Sequence, residues 1–194
     1  MKEKYKNISF DELCEKLGNA YVKFLCALND LESEGDDVLT AGINHPDCKN
    51  HFLSNAYLSM FDKFELSKPW IYHSTVAGKQ IKAKNKNWKK DLSFEHIIPK
   101  QEYLQSVCEN LVKEKGKAAL EEVIELIKKY WKIAIITSEE NKHLLVRKMP
   151  YELIEQEQVD KEKKNEWIFS RYNQPKDDTQ KIVLYDYKEN PVNQ

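Results

Sequence analysis

Apolar residues recur at steps of three and four between Phe10 and Leu28, and this run sets the strongest limit on the fold. The period is that of one face of an α-helix. Ser9 and Glu12 stand three residues apart at the start of the run, which is the signature of a capping box. We therefore predict a helix over about residues 10–31, whose apolar face needs a second layer to pack against.

Further helices and short strands follow along the chain. Helical spacing recurs over 52–64, 104–111 and 119–127, and Tyr151–Trp167 is a charged segment that we expect to be helical. Strand-like patterns occupy 70–77, 92–98, 131–136 and 181–187. A second capping box, Thr137-Ser-Glu-Glu140, starts a helix that contains Asn141.

These patterns predict an α+β fold in three regions. A helical region covers 1–67, a small ββα core with a basic segment and a helical insertion covers 68–150, and a C-terminal helix, strand and tail cover 151–194. No apolar run approaches the roughly 20 residues that span a bilayer, and the N-terminus lacks the apolar stretch of a signal peptide. We expect a cytoplasmic protein without a membrane partner.

Charge is distributed unevenly. The 31 basic and 32 acidic residues give a net charge of -1, which excludes a domain that is basic overall. Residues 68–90 nevertheless contain seven lysines and no acidic residue. On a strand, lysines at spacing two would point to one side and follow a phosphate backbone, whereas a solvated surface is the ordinary alternative. The predicted nucleic-acid contacts are Lys79, Lys82, Lys84, Lys86, Trp88, Lys89, Lys90 and Lys100, with Arg147 and Lys148 as additions.

The motif Phe94-Glu95-His96-Ile97-Ile98-Pro99 lies directly after this basic segment, and a strand and the Asn141 helix follow it. Over about residues 92–150 this arrangement resembles the HNH, or ββα-metal, endonucleases, whose first strand commonly reads Asp/Glu-His-Ile-x-Pro. The resemblance implies a metal-dependent endonuclease in which His96 is the general base. It implies that Glu95 and Asn141 are metal ligands.

The ligand on the helix has three candidates. In many HNH proteins a closing ligand lies about two turns beyond the middle Asn, and here that position falls near Met149-Pro150. Asn141 itself, His143 or Glu155 therefore remain open. Oxygen ligands favour Mg²⁺ or Mn²⁺, whereas His143 as a ligand would shift the preference toward Mn²⁺, Ni²⁺ or Zn²⁺.

The resemblance also bears on partners. DNA is favoured over RNA because most relatives cut DNA, and a restriction, phage-defence or toxin effector with a partner protein is compatible with it. An HNH-like site cuts one strand, so a double-strand break would need two protomers or two events, which makes a homodimer attractive.

The alternative function is a non-catalytic helical module that binds nucleic acid or protein, in which the Glu95-His96 pair is incidental.

Other histidines and the cysteines favour structural roles. His45, Cys48 and His51 are spaced by three residues, but a structural zinc site needs four ligands and no fourth is evident, so we predict a polar loop. His73 is interpreted as a packed strand residue. Cys14, Cys26 and Cys108 fall on apolar helical faces and Cys48 at the surface, and all four are expected to be reduced.

Overall fold

The computed structural model describes residues 3–35, 38, 41–42, 46–84, 87–144, 149, 168–173 and 181–193. The fold is α+β, as predicted. Within the described residues, no helix combines the length and the apolar character needed to cross a membrane. Two compact units form, one from Met1–Lys63 with Lys100–Tyr130 and one from Phe64–Pro99 with Trp131–Gln194.

The helices are α1 (Phe10–Glu34), α2 (Pro46–Leu58), α3 (Thr75–Ala83), α4 (Ser106–Lys115), α5 (Leu120–Tyr130), α6 (Ser138–His143) and α7 (Ser170–Asn173). The strands are β1 (Ile71–Ser74), β2 (Leu92–His96), β3 (Ile133–Thr137) and β4 (Leu184–Tyr185). A π-helical turn, Gln101–Gln105, leads into α4, and short 3₁₀ helices lie at Glu3–Tyr5 and Gly116–Ala119.

Helix α1 begins and ends as its sequence indicates. The Ser9 hydroxyl accepts a bond from the Glu12 amide (3.1 Å), and the Glu12 carboxylate accepts one from the Ser9 amide (2.9 Å), which confirms the capping box. Gly35 ends the helix in the left-handed conformation, with φ of 73°. Helix α5 packs closely on α1, because a Cβ atom on Gly18 would lie only 2.6 Å from Cγ1 of Ile124.

The second unit contains a four-stranded sheet in the order β2-β3-β1-β4. Strands β1 and β3 are parallel, and the other two pairings are antiparallel. Since neighbouring side chains of a strand point to opposite faces, the register divides the sheet residues into two sets. The Glu95 face carries Tyr72, Ser74, Ser93, Glu95, Ala134 and Ile136, and the His96 face carries Ile71, His73, Phe94, His96, Ile133 and Ile135.

Helix α2 differs from its prediction. It begins at Pro46, inside the segment that we expected to be a polar loop, and ends at Leu58. Proline is common at the first position of a helix, where its missing N–H is not needed. Met60, Phe61 and Phe64 continue the apolar spacing and are buried, but they lie in turns. The apolar spacing therefore predicted correctly that these residues are buried, but it placed the end of the helix too late in the sequence.

The prediction of a strand over 70–77 was wrong in its second half, because helix α3 begins at Thr75. Ser74 caps α3, because its hydroxyl accepts a bond from the Ala77 amide (3.2 Å). The terminal strand predicted over 181–187 is confirmed only at Leu184–Tyr185. The helix predicted over 151–167 lies outside the described residues.

Candidate active site

The second unit contains two antiparallel strands followed directly by a helix. Strand β2 pairs with β3 along its whole length, from Leu92 opposite Thr137 to His96 opposite Ile133. Helix α6 begins where β3 ends, at a complete capping box. The Glu140 amide donates to the Thr137 hydroxyl (3.1 Å), and the Thr137 amide donates to Oε2 of Glu140 (2.7 Å). This box fixes the direction in which α6 leaves the sheet.

Helix α6 brings Asn141 to the Glu95 face of the sheet. Nδ2 of Asn141 donates to Oε1 of Glu95 (3.1 Å) and lies 3.4 Å from the Ser93 hydroxyl. All three side chains are half-buried. The structure therefore brings together a carboxylate and an amide that lie far apart in the sequence, at a position that solvent still reaches.

A second carboxylate of α6 lies toward β1. Oε2 of Glu140, the atom that caps the helix, also accepts a hydrogen bond from the Ser74 hydroxyl (2.7 Å). Ser74 is buried and belongs to the Glu95 face. Helix α6 is thus tied to β1 through Glu140 and to β2 through Asn141.

His96 lies on the other face of the sheet. Its ring meets the buried Trp131 ring at a centroid distance of 4.6 Å and the Phe94 ring at 6.0 Å. Strand β2 is regular through the His96–Ile133 pair, so no bend before this residue turns its ring toward Glu95. The imidazole and the Glu95–Asn141 pair therefore lie on opposite faces of the sheet.

His143 is also separate from that pair. Its Nε2 lies 3.7 Å from Oε1 of the exposed Glu139, one turn earlier in α6. Residues two apart on a helix point to nearly opposite sides, so Asn141 and His143 do not share one site. Glu155, Arg147 and Lys148 lie outside the described residues, as does His45. Cys48 is exposed on α2, which also carries His51.

Helix α7 adds two residues that the sequence did not indicate. Nη1 of the buried Arg171 donates to the backbone carbonyl of His96 (2.9 Å). The neighbouring Tyr172 is buried, and burial raises the pKa of its phenol; Arg171 lowers this pKa, and the carboxylates of Glu95 and Glu140 raise it. The signal for this helix was weak, because only Ile168, Phe169 and Tyr172 carry its apolar spacing.

The basic segment is divided between a helix and turns. Lys79, Lys84, Lys89 and Lys90 are exposed, Lys82 lies 2.8 Å from the carboxylate of Glu189, and Lys86 is outside the described residues. Trp88 is half-buried, with its ring 5.5 Å from that of Phe64 and under the amine of Lys89. Because Lys79 and Lys82 lie on α3, the predicted spacing of two along a strand was wrong for them.

Lys100, which the sequence predicts as a phosphate contact, directs its amine to neighbouring groups of the protein. Its amine is half-buried in the first unit and donates to the Asn50 carbonyl and to the Ser54 hydroxyl. Burial lowers the pKa of this amine to about 8. Lys100 is therefore bonded to helix α2 within the first unit, and its predicted contact with nucleic acid stays a prediction.

The site offers oxygen donors, the type of ligand that hard divalent cations prefer. Across the described ranges, no group of three or more His, Cys, Asp or Glu side chains is placed to hold a metal ion. Glu95 and Asn141 offer one carboxylate and one amide oxygen. Mg²⁺ commonly binds in this way, through one or two carboxylates, retained waters and substrate phosphates.

His73 is buried, with Nδ1 3.1 Å from the Ser74 carbonyl, as expected of a packed strand residue.

Comparisons with protein-family models, with curated proteins and with solved structures found no match to this chain.

Proposed function

We propose that this protein is a metal-dependent endonuclease that hydrolyses phosphodiester bonds in nucleic acid, with DNA favoured. The contact between Asn141 and Glu95 carries the proposal. It joins the first strand of an antiparallel pair to the helix that follows the second strand, which is where the HNH-like reading of the sequence expects two metal ligands.

The two side chains suit the chemistry. Glu95 supplies a carboxylate, and Asn141 can turn its amide oxygen in place of the nitrogen, since the amide orientation is set by its hydrogen-bond partners. A bound divalent cation would neutralise the charge that develops on the scissile phosphate. Ser93, beside both groups, offers a hydroxyl to the same polar site.

His96 is the proposed general base. An imidazole with a pKa near 6.5 accepts a proton from water at neutral pH. It is the last residue of β2, where pairing with β3 ends. Because its ring lies on the face opposite Glu95, this role requires the imidazole to come within hydrogen-bond reach of the attacking water, and we propose it on the sequence resemblance alone.

The exposed lysines of the basic segment are proposed to hold the phosphate backbone. Lys79 lies on α3, and Lys84, Lys89 and Lys90 lie in the turns before β2. Lysines bind phosphates without reading sequence, so they would position the chain while leaving cleavage to the site on the sheet.

The test is cleavage of plasmid, single-stranded DNA and RNA with Mg²⁺ or Mn²⁺ by the full chain and four variants. Glu95→Gln and Asn141→Ala should each lower the cleavage rate at least ~100-fold, the usual cost of losing one essential polar group of a site. Glu139→Gln is the matched control, because this exposed carboxylate belongs to the same unit and should leave the rate unchanged.

His96→Ala should lower the rate by ~100-fold or more while Mn²⁺ binding is retained. Full activity in this variant would contradict the base role and leave the metal site standing. If the wild-type chain binds DNA but cleaves no substrate with any metal, the endonuclease proposal is wrong and the non-catalytic binding module is favoured.

A further inference from the structure

Tyr172 has a hydroxyl group that the fold buries without satisfying. The side chain has no exposed area, and among the described residues its hydroxyl has no hydrogen-bond partner. Leaving such a group unsatisfied costs about 1–3 kcal/mol, so a buried hydroxyl of this kind calls for an explanation. The proposed reaction does not use this hydroxyl.

The backbone around Tyr172 is firmly held. The Tyr172 amide donates to the Phe169 carbonyl (2.9 Å), and its carbonyl accepts from the Ile182 amide (3.0 Å). The side chain of the preceding residue, Arg171, is bonded to the end of β2 at the His96 carbonyl. The fold therefore holds the backbone that carries the phenol.

Phe169, the residue directly before helix α7, packs on the Glu95 face. Phe169 meets Tyr72 edge to face, with ring centroids 5.2 Å apart. Tyr72 and Glu95 both pair with Ala134, one from each side, so they flank this small residue on the same face.

We propose that Tyr172 is a positioning residue for Glu95, whose carboxylate accepts a hydrogen bond from the phenol when the site holds a divalent cation. Asn141 now supplies the hydrogen bond to Oε1 of Glu95. An amide that turns its oxygen toward a cation no longer donates there, and Tyr172 replaces the lost donor. A phenol carries its proton at neutral pH, because its ordinary pKa is about 10, so it can donate this bond.

This inference rests on the proposed function, because it requires Glu95 to be a metal ligand. Partners of this kind orient metal ligands, and their loss typically weakens metal affinity 10–100-fold. Tyr172→Phe removes the hydroxyl and keeps the ring, so it changes the hydrogen bond with little change in packing.

The experiment measures Mn²⁺ binding to the full chain by calorimetric titration, together with the melting temperature without metal. Tyr172→Phe should raise the Kd for Mn²⁺ by about 10–100-fold. The melting temperature without metal should stay the same or rise, because an unsatisfied buried hydroxyl has been removed. Tyr187→Phe, at a residue that is 40% exposed, is the matched control and should change neither value.

Each other outcome overturns a defined part of the reasoning. If Glu95→Gln abolishes Mn²⁺ binding but Tyr172→Phe leaves it unchanged, the inference about Tyr172 is wrong and the metal site stands. A lower melting temperature with unchanged Mn²⁺ affinity would show a purely structural bond, for example to Glu140. If the wild-type chain binds no Mn²⁺, the metal site and this inference are both wrong.

Discussion

Replacing Glu140 by alanine tests how firmly the fold holds Asn141. Oε2 of Glu140 accepts two short hydrogen bonds, from the Thr137 amide and from the Ser74 hydroxyl, each 2.7 Å long. The first closes the capping box of α6, and the second ties α6 to β1. Glu140→Ala removes both, whereas Glu140→Gln keeps an oxygen at the same position.

The size of the effect follows from these two bonds. Hydrogen bonds to a charged group contribute about 1.5–3 kcal/mol each, so their joint loss should lower the free energy of unfolding by roughly 3–5 kcal/mol. For a chain of this length, 1 kcal/mol corresponds to about 2–4 °C in melting temperature, which gives a decrease of roughly 6–20 °C. Glutamine also serves in capping boxes, so Glu140→Gln should recover at least half of the loss.

Thermal melts and urea unfolding followed by circular dichroism measure these changes. Glu139→Ala is the control, because this neighbouring side chain is exposed and pairs with Lys142 and His143 on its own helix. It should leave the melting temperature nearly unchanged. A Glu140→Ala chain within about 1 kcal/mol of wild type, below the net value of a single such bond, would refute the reasoning. So would a Glu140→Gln chain as unstable as Glu140→Ala.

Two further predictions concern packing and pH. Gly78→Ala should lower the free energy of unfolding, measured in urea, by about 1–2 kcal/mol. The new Cβ would lie 2.5 Å from Nδ1 of the buried His73. The cost of this overpacking exceeds the gain in helix propensity from glycine to alanine. Gly42→Ala, with no atom within 4 Å of its Cβ, is the control, and equal losses in the two variants would contradict the clash. Lys100 should make stability depend on pH, because burial lowers its pKa from 10.5 to about 8 and the unfolded chain binds the extra proton between these values. Urea unfolding at several pH values measures the difference in unfolding free energy between wild type and Lys100→Gln. This difference should be constant below about pH 8 and should rise toward pH 10.5. A difference that does not change with pH would contradict the prediction.

The parts of the fold that local signals specify could be predicted from the sequence. Both capping boxes formed where Ser9-x-x-Glu12 and Thr137-x-x-Glu140 stand, because each depends on residues within one helical turn. Strand β2 was also predicted well, since Pro99 limits its extent. The α3 segment was missed because Ser74-Thr-Val76 reads as β-prone, although Ser74 is in fact a helix cap.

The residues around the candidate site differ in the same way: some belong to short sequence patterns, and others are brought there only by folding. Glu95 and Asn141 could be selected from the sequence because each belongs to a short pattern, a strand motif in one case and a capped helix in the other. Tyr172 and Arg171 could not, because Arg171 meets the end of β2 across 75 positions and no motif joins the two segments. Burial without a hydrogen-bond partner is a property of the folded chain alone.

Residues that are neighbours in the sequence do not necessarily lie at the same site of the folded chain. Glu95 and His96 are neighbours, yet the regular pairing of β2 with β3 sends their side chains to opposite faces. The same limit applies to the seven lysines of residues 68–90: Lys68 is buried beside Trp70 and Lys82 pairs with Glu189, so the exposed cationic surface is smaller than the count along the chain. A carboxylate, an imidazole and a run of lysines that lie close together in the sequence thus occupy distinct surfaces, and the roles proposed for them in metal binding, proton transfer and phosphate binding can be tested one at a time.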